Sequence, residues 1–333
     1  MPWRTAPVGS SPVSPDMSRA RYPIEGRTAL VTGAARGIGA ETAARLHARG
    51  ANVALVGLER DRLEGLAARL GERATWVEAD VADTDALERA VSHTRDRFGG
   101  IDVAIANAGI YFVGALATSP REQVERALEV NLLGVWRTNR AVLPHVVERR
   151  GYLLNVASLA AASHTPLMGP YAASKAGVEA LTNSLRTELA ATGARVGCAY
   201  FGFIDTDLVR RGLADPAAVA LQKVIPPALR RAVPLERAVD AIERGVERRA
   251  RRVWAPSYVG ALLALREPWQ LLLEQRVRRA PELREALRLA DPTLGARAAV
   301  HPLLGVAGEV EGERPNDPTP ADPPAAERSE QLV

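Results

Sequence analysis

Thr28-Ala29-Leu30-Val31-Thr32-Gly33-Ala34-Ala35-Arg36-Gly37-Ile38-Gly39 reads as a strand that runs into a glycine-rich turn and then a helix. Thr28–Val31 is β-branched and apolar, as a buried strand requires. Gly33, Gly37 and Gly39 let the backbone turn sharply and approach a ligand closely. The helix expected over Gly37–Gly50 offers unpaired N–H groups and a positive dipole end, which suit a pyrophosphate. A glycine turn alone is also compatible with a simple tight turn. Its place between a strand and a helix favours the phosphate-binding reading.

Outward from this stretch the pattern repeats. Strands are expected at Ala51–Val56, Ala74–Glu78, Ile101–Ala106, Tyr152–Val156, Arg195–Ala199 and Arg252–Trp254. Helices are expected at Glu59–Leu70 and Asp83–Phe98, and a long one from Pro120 to about Val147 that Pro144 bends or breaks. Strands alternating with helices predict an α/β fold: one Rossmann-type domain with a doubly wound parallel sheet, over 23–256. Ligands bind such sheets beyond the carboxyl ends of the strands. Residues 205–232 interrupt the alternation with Pro216, Pro226 and Pro227, and a long insertion at that edge reads as a lid or binding loop. A helical C-terminal extension is expected over 257–304, with Ser257–Leu294 amphipathic. Residues 1–22 read as a disordered leader and 305–333 as a disordered tail rich in Pro, Glu and Asp.

The 333 residues carry a net charge of +4 and are 47% hydrophobic, a soluble globular balance. The single cysteine, Cys198, excludes an intramolecular disulfide and suits a reducing cytoplasm. The histidines at 47, 93, 145, 164 and 301 form no metal-spaced cluster, so no metal site is expected. No apolar run is long enough to span a membrane. The arginines of 230–288 interleave with Glu236, Asp240, Glu243 and Glu247, which reads as a solvated face rather than a nucleic-acid or membrane patch.

Only two of the 43 basic residues are lysines, Lys175 and Lys223. Where arginine is otherwise the rule, a lysine points to a need for a compact ammonium whose protonation can be tuned. Lys175 follows Tyr171 by four residues, so a helix places both on one face. A phenol has a pKa of about 10, and a nearby positive charge lowers it. The pair is therefore a proton donor and acceptor for alcohol–carbonyl chemistry, unless it is only a surface pair. Other candidates follow the strands: Asp80 and Val81, then Asn107-Ala108-Gly109, then Ser158. Asn131 sits inside the long helix, where asparagine is a poor former; a bond to local backbone is the plain alternative to a functional role.

In order and spacing these motifs resemble the short-chain dehydrogenase/reductase family over about residues 24–256. The resemblance implies that Gly33, Arg36, Gly37, Ile38 and Gly39 bind the phosphates and flank the ribose of a nicotinamide cofactor. By the same resemblance Asp80 and Val81 meet the adenine, and Asn107, Ala108 and Gly109 line the cofactor and tie neighbouring strands. Asn131, Ser158, Tyr171 and Lys175 match the family's catalytic tetrad, with Asn131 holding a water that links Lys175 to solvent. Thr206 matches the contact to the nicotinamide carboxamide. A homodimer or homotetramer through the long helix and the Tyr171 helix is implied as well.

Two positions depart from the family's pattern. Phe201-Gly202 stands where Pro-Gly is usual, so the ring either reshapes the pocket or packs beneath it. Gly57 stands where NAD-specific relatives carry an acidic residue. Gly57 leaves room for a 2′-phosphate and Arg36 can pair with it, which favours NADP(H) over NAD(H); Glu59 opposes this if it points inward. The expected activity is interconversion of a secondary alcohol and a ketone, with a lipophilic small molecule as substrate. The rivals are an epimerase or dehydratase on the same fold, and a non-catalytic nucleotide-binding or scaffold protein.

Overall fold

The computed structural model describes residues 21–212 and 214–291. Most of the expected leader and the whole of the expected tail lie outside the described residues. Arg21 and Tyr22 fall inside the leader range, and the Tyr22 N–H donates to the Glu247 carbonyl at 2.6 Å.

Seven parallel strands form one sheet in the order β3-β2-β1-β4-β5-β6-β7. They are β1 Thr28–Thr32, β2 Asn52–Gly57, β3 Ala74–Glu78, β4 Val103–Ala106, β5 Tyr152–Val156, β6 Arg195–Phe201 and β7 Arg252–Ala255. The central strands are buried on both faces, so their sequences are near-continuously apolar. On β2, Val53 and Leu55 enter one core, with Leu46, Leu63 and Ile242. Ala54 and Val56 enter the other, with Leu87, Val91 and Val146. The first core is closed by α1 Gly37–Ala48, α2 Arg60–Leu70 and α10 Leu235–Arg248; the second by α3 Thr84–Phe98 and α5 Gly134–Glu148. The strand order reverses between β1 and β4, the switch point where such sheets bind ligands.

The expected long helix is three pieces: α4 Arg121–Leu128, a π turn at Glu129–Leu133, then α5. The irregularity falls on Asn131, while α5 runs through Pro144. A π turn inserts one residue per turn and turns a side chain off the helix register, a device common at functional sites. The described residues of the insertion form three helices: α7 Asp207–Gly212, α8 Pro216–Gln222 and α9 Pro227–Arg230. Asp215 caps α8 by accepting from the Ala217 and Ala218 N–H groups, with Pro216 at the first helical position.

α6 spans Gly169–Glu188. Residues 292–304 of the expected extension lie outside the described residues; within 257–291 the amphipathic run is not one helix but α11 Ser257–Ala264, α12 Arg266–Arg279 and α13 Pro281–Ala290. The prolines explain the breaks. Pro268 must lie in a first turn, and Pro281 forces Ala280 into extended backbone at ψ 121°. Among the described residues no helix is long and apolar enough to cross a membrane. Cys198 is fully buried on β6, and burial pushes its thiol up to about 11.

Candidate active site

The carboxyl ends of the strands open onto a cavity of about 680 Å³. It runs from Glu59 and Asp80 at one end, past Gly37 and Asn107, to Tyr111 and Gly212 at the other. Gly33 and Gly37 adopt left-handed φ values of 65° and 58°. A Cβ on Gly39 would lie 2.2 Å from the Gly33 carbonyl oxygen, so only glycine fits there. Arg36, at the start of α1, is extended and offers no side-chain cap, so the first-turn N–H groups are left uncapped where Gly37 and Ile38 line the cavity. This backbone cradle fits an anion of pyrophosphate type.

Asn107 ties the switch point together. Its N–H donates to Thr32 Oγ1 at 3.1 Å, and its Nδ2 donates to the Thr32 carbonyl at 3.1 Å and the Gly33 carbonyl at 3.3 Å. The Ala108 N–H also donates to Thr32 Oγ1. Asp80 accepts from the Ala82 N–H at 2.9 Å and from Arg126 at 2.7 Å. Burial opposes its ionisation, but these two donors outweigh it and hold the carboxyl below its usual range. Val81, Ile38 and Thr206 line the same cavity, and Thr206 packs over Gly37.

Arg36 is not free. Its Nε meets Glu59 Oε1 at 2.9 Å, and Glu59 also holds Arg62 at 3.1 Å. Glu59 therefore does point into the cavity, the alternative that opposes a 2′-phosphate. Gly57 is buried at the end of β2, where a Cβ would make ordinary contact, 3.7 Å, with the Ala34 nitrogen of the turn and with Leu63 Cδ2.

Ser158 begins a 3₁₀ turn, Leu159–Ala161, after β5. Its Oγ accepts from the Ala160 N–H at 3.1 Å and reaches the Phe201 carbonyl at 3.5 Å. The Phe201 ring is buried in the core, so it packs beneath the site. Tyr171 lies in the first turn of α6. Burial raises its phenol pKa, and a hydrogen bond with Ser158 works against that. The expected lowering by Lys175 is not what the geometry shows. The Lys175 ammonium lies 5.9 Å from the Tyr171 ring centroid and donates instead to the Val156 carbonyl at 3.0 Å. Lys175 is 3% exposed, and burial lowers its pKa to about 8.

Asn131 is fully buried, and its side chain bonds outside its own helix. Its Oδ1 accepts from the Ile110 N–H at 2.8 Å, and its Nδ2 donates to the Ile110 carbonyl at 3.0 Å and to Ser174 Oγ at 3.3 Å. It thus pins the chain after β4. Gly109 is pressed between them: a Cβ there would lie 3.1 Å from Asn131 Oδ1 and 3.4 Å from Lys175 Nζ. The structure gathers Asn131, Lys175, Tyr171 and Ser158 behind Gly109 and Tyr111, which line the cavity; the four are not themselves among its lining residues.

Sequence reasoning missed Tyr111. Its ring packs 5.5 Å from that of Tyr171 at 59°, and its hydroxyl points to Met168 Sδ at 3.8 Å. A Cβ on Gly212 would lie 2.3 Å from the Tyr111 ring, so α7 rests directly on it. The signal was available, since Tyr111 lies just past the carboxyl end of β4.

A dinucleotide-sized cavity over an anion cradle, with a serine, a tyrosine and a buried lysine packed behind its Gly109–Tyr111 wall, suits proton and hydride exchange on a small molecule. The comparisons agree. The model of the short chain dehydrogenase family matches residues 27–216. "Oxidoreductase UcpA" of Salmonella typhimurium is 34% identical over 233 residues, covering 67% of this chain and 86% of that one. "2-(R)-hydroxypropyl-CoM dehydrogenase" of Xanthobacter autotrophicus is 36% identical, over 57% and 79% of the two chains. "3-oxoacyl-[acyl-carrier-protein] reductase FabG" of Vibrio cholerae is 33% identical, over 61% and 83%. Among solved structures, a short-chain dehydrogenase/reductase of unknown function from Caenorhabditis elegans, determined with cofactor, superposes with a TM-score of 0.60. It has 27% identity, covering 68% of this chain and 90% of that one.

Proposed function

Given that the chain belongs to the short-chain dehydrogenase family, we propose that it is an NADP(H)-dependent oxidoreductase interconverting a secondary alcohol and a ketone. The observation that carries this reading is the clustering of Ser158, Tyr171 and Lys175 directly behind Gly109 and Tyr111, which line a glycine-cradled cavity. Two relatives bear names of the same chemistry, one a hydroxypropyl compound and the other a 3-oxoacyl compound.

Gly33, Gly37 and Gly39 would hold the cofactor's pyrophosphate against the N-terminus of α1, and Asp80 and Val81 its adenine. When bound, the cofactor accepts or supplies the hydride. The chain's own residues handle the proton. In reduction the Tyr171 phenol gives its proton to the ketone oxygen as the carbon takes the hydride, leaving phenolate; in oxidation that phenolate takes the hydroxyl proton back as the carbon gives up its hydride. Ser158 Oγ hydrogen-bonds the substrate oxygen and stabilises its developing charge. Lys175 holds positive charge behind Tyr171, and Asn131 fixes the Ile110 backbone beside it. Tyr111, Phe112, Val113 and Leu208 line the cavity, which favours an apolar substrate.

Preference for NADP(H) rests on Gly57, which leaves space, and on Arg36, which would exchange Glu59 for the 2′-phosphate. A homo-oligomer through α5 and α6 is part of the same reading, supported by Trp136 and Leu133, which remain 44% and 39% exposed. Retention of a buried lysine beside the tyrosine speaks against a scaffold role, since burying an ammonium costs stability that a scaffold has no use for.

A panel of secondary alcohols and ketones, each offered with NADP(H) and NAD(H), tests the proposal. Turnover with NADPH on apolar ketones is expected. Cofactor binding without turnover across the panel would favour the scaffold reading instead.

A further inference from the structure

We infer that residues 266–290, beyond the region that the family model matches, act as a strap that holds the substrate loop closed over Tyr171 and so governs substrate entry. The substrate part of this inference rests on the proposed function; the mechanical part does not.

The strap is anchored to the parts that form the site. Arg266 pairs with Glu179 through two bonds, at 2.8 and 3.3 Å. Glu179 is buried on α6, one turn beyond Lys175. Trp269 Nε1 donates to Ser163 Oγ at 2.8 Å, and Gln270 pairs with both backbone groups of His164. Ser163 and His164 continue the turn that Ser158 begins. Arg276 Nε donates to the Val224 carbonyl just past α8. α13 then lies along α8, with Ala286 fully buried among Ala217, Ala220 and Leu221.

α8 has seven residues, of which Ala217, Ala218, Ala220 and Leu221 are all buried. Isolated helices shorter than about 12–15 residues are marginal in water, so α8 persists through packing on its neighbours. A free lid would show water a polar outer face. Here the outer face is apolar and covered by α13. On the inner side, α7 rests on Tyr111 through Gly212, and Tyr111 rests on Tyr171. α8 itself packs with Ala115, Leu167 and Val113, and Val113 lines the cavity, so the strap bears on that end of the cavity through α8. Ala286 and Arg276 are positioning residues in this scheme.

The test uses the full chain with Ala286→Glu, which puts a charge into the α8–α13 contact. Leu289→Glu, on the half-exposed side of the same helix, is the control. Hydrogen exchange of the α8 amides should quicken about tenfold or more in Ala286→Glu and stay near wild type in Leu289→Glu. KM for a panel substrate should rise about fivefold or more with kcat little changed, while the cofactor Kd stays within about twofold. Arg276→Gln, which removes only the bond to Val224, should move both readouts the same way by a smaller factor. Unchanged α8 exchange in Ala286→Glu, or faster exchange with unchanged KM, overturns the inference. A wild-type protein that turns over nothing in the panel would sink the proposed function, yet the exchange experiment would still report on the strap.

Discussion

Replacing Lys175 with methionine should make the protein more stable and inactive. Lys175 is 3% exposed, and its pKa falls from 10.5 to about 8 because burial disfavours the ammonium. At about 1.4 kcal/mol per pH unit, that drop corresponds to about 3 kcal/mol of destabilisation. The unfolded chain binds more protons than the folded one between pH 8 and 10.5. Stability contributed at this site therefore rises with pH across that window, and the full penalty is present below it. Methionine keeps the length of the side chain and removes the charge. It also loses the bond to the Val156 carbonyl, worth about 1 kcal/mol. The net gain in the absence of cofactor is about 2 kcal/mol near neutral pH, and it should shrink to zero and change sign before pH reaches 10.5. Urea denaturation of both proteins across that range measures it. A variant less stable than wild type at neutral pH, or a difference that ignores pH, would refute the reasoning.

Arg36→Ala should weaken NADPH binding by about 1.5–3 kcal/mol and NADH binding far less, as the loss of a charge-assisted bond requires; equal losses, read by titration calorimetry, would count against the NADP(H) reading. Glu59→Gln should do the reverse and tighten NADPH, because it frees Arg36 and removes a like charge from the phosphate; unchanged NADPH affinity would show that the pair does not compete. Gly39→Ala places a Cβ 2.2 Å from the Gly33 carbonyl oxygen, so the turn must open. Binding of either cofactor should fall by tenfold or more, about 1.4 kcal/mol, and near-wild-type affinity would show that the turn is not the cradle.

The sheet was legible because parallel strands buried on both faces leave continuous apolar runs, as at Leu30-Val31 and Ala54-Leu55-Val56. The glycine turn was legible because close backbone approach admits no other residue at Gly39. Three features were not. The π turn at Asn131 keeps helical periodicity on either side, so a sequence pattern shows only one long helix. The pairing of Asn131 with the Ile110 backbone spans 21 residues, which no local rule anticipates. The direction of the Lys175 ammonium, toward Val156 on β5, depends on how α6 docks on the sheet; helical spacing from Tyr171 says only that the two share a face. The strap was seen as amphipathic helix, but amphipathicity marks a face that packs without saying against what. Its partner α8 lies in the insertion that broke the pattern.

The central claim is that Tyr171 moves the proton of an alcohol–ketone interconversion. Tyr171→Phe keeps the ring against Tyr111 and removes only the hydroxyl. The most direct measurement is its nicotinamide turnover on a substrate that the wild type accepts, alongside its cofactor Kd. The account predicts a Kd near wild type and a kcat lower by about 100-fold or more, the contribution expected of a positioned acid–base group. A kcat within a few-fold of wild type would contradict it.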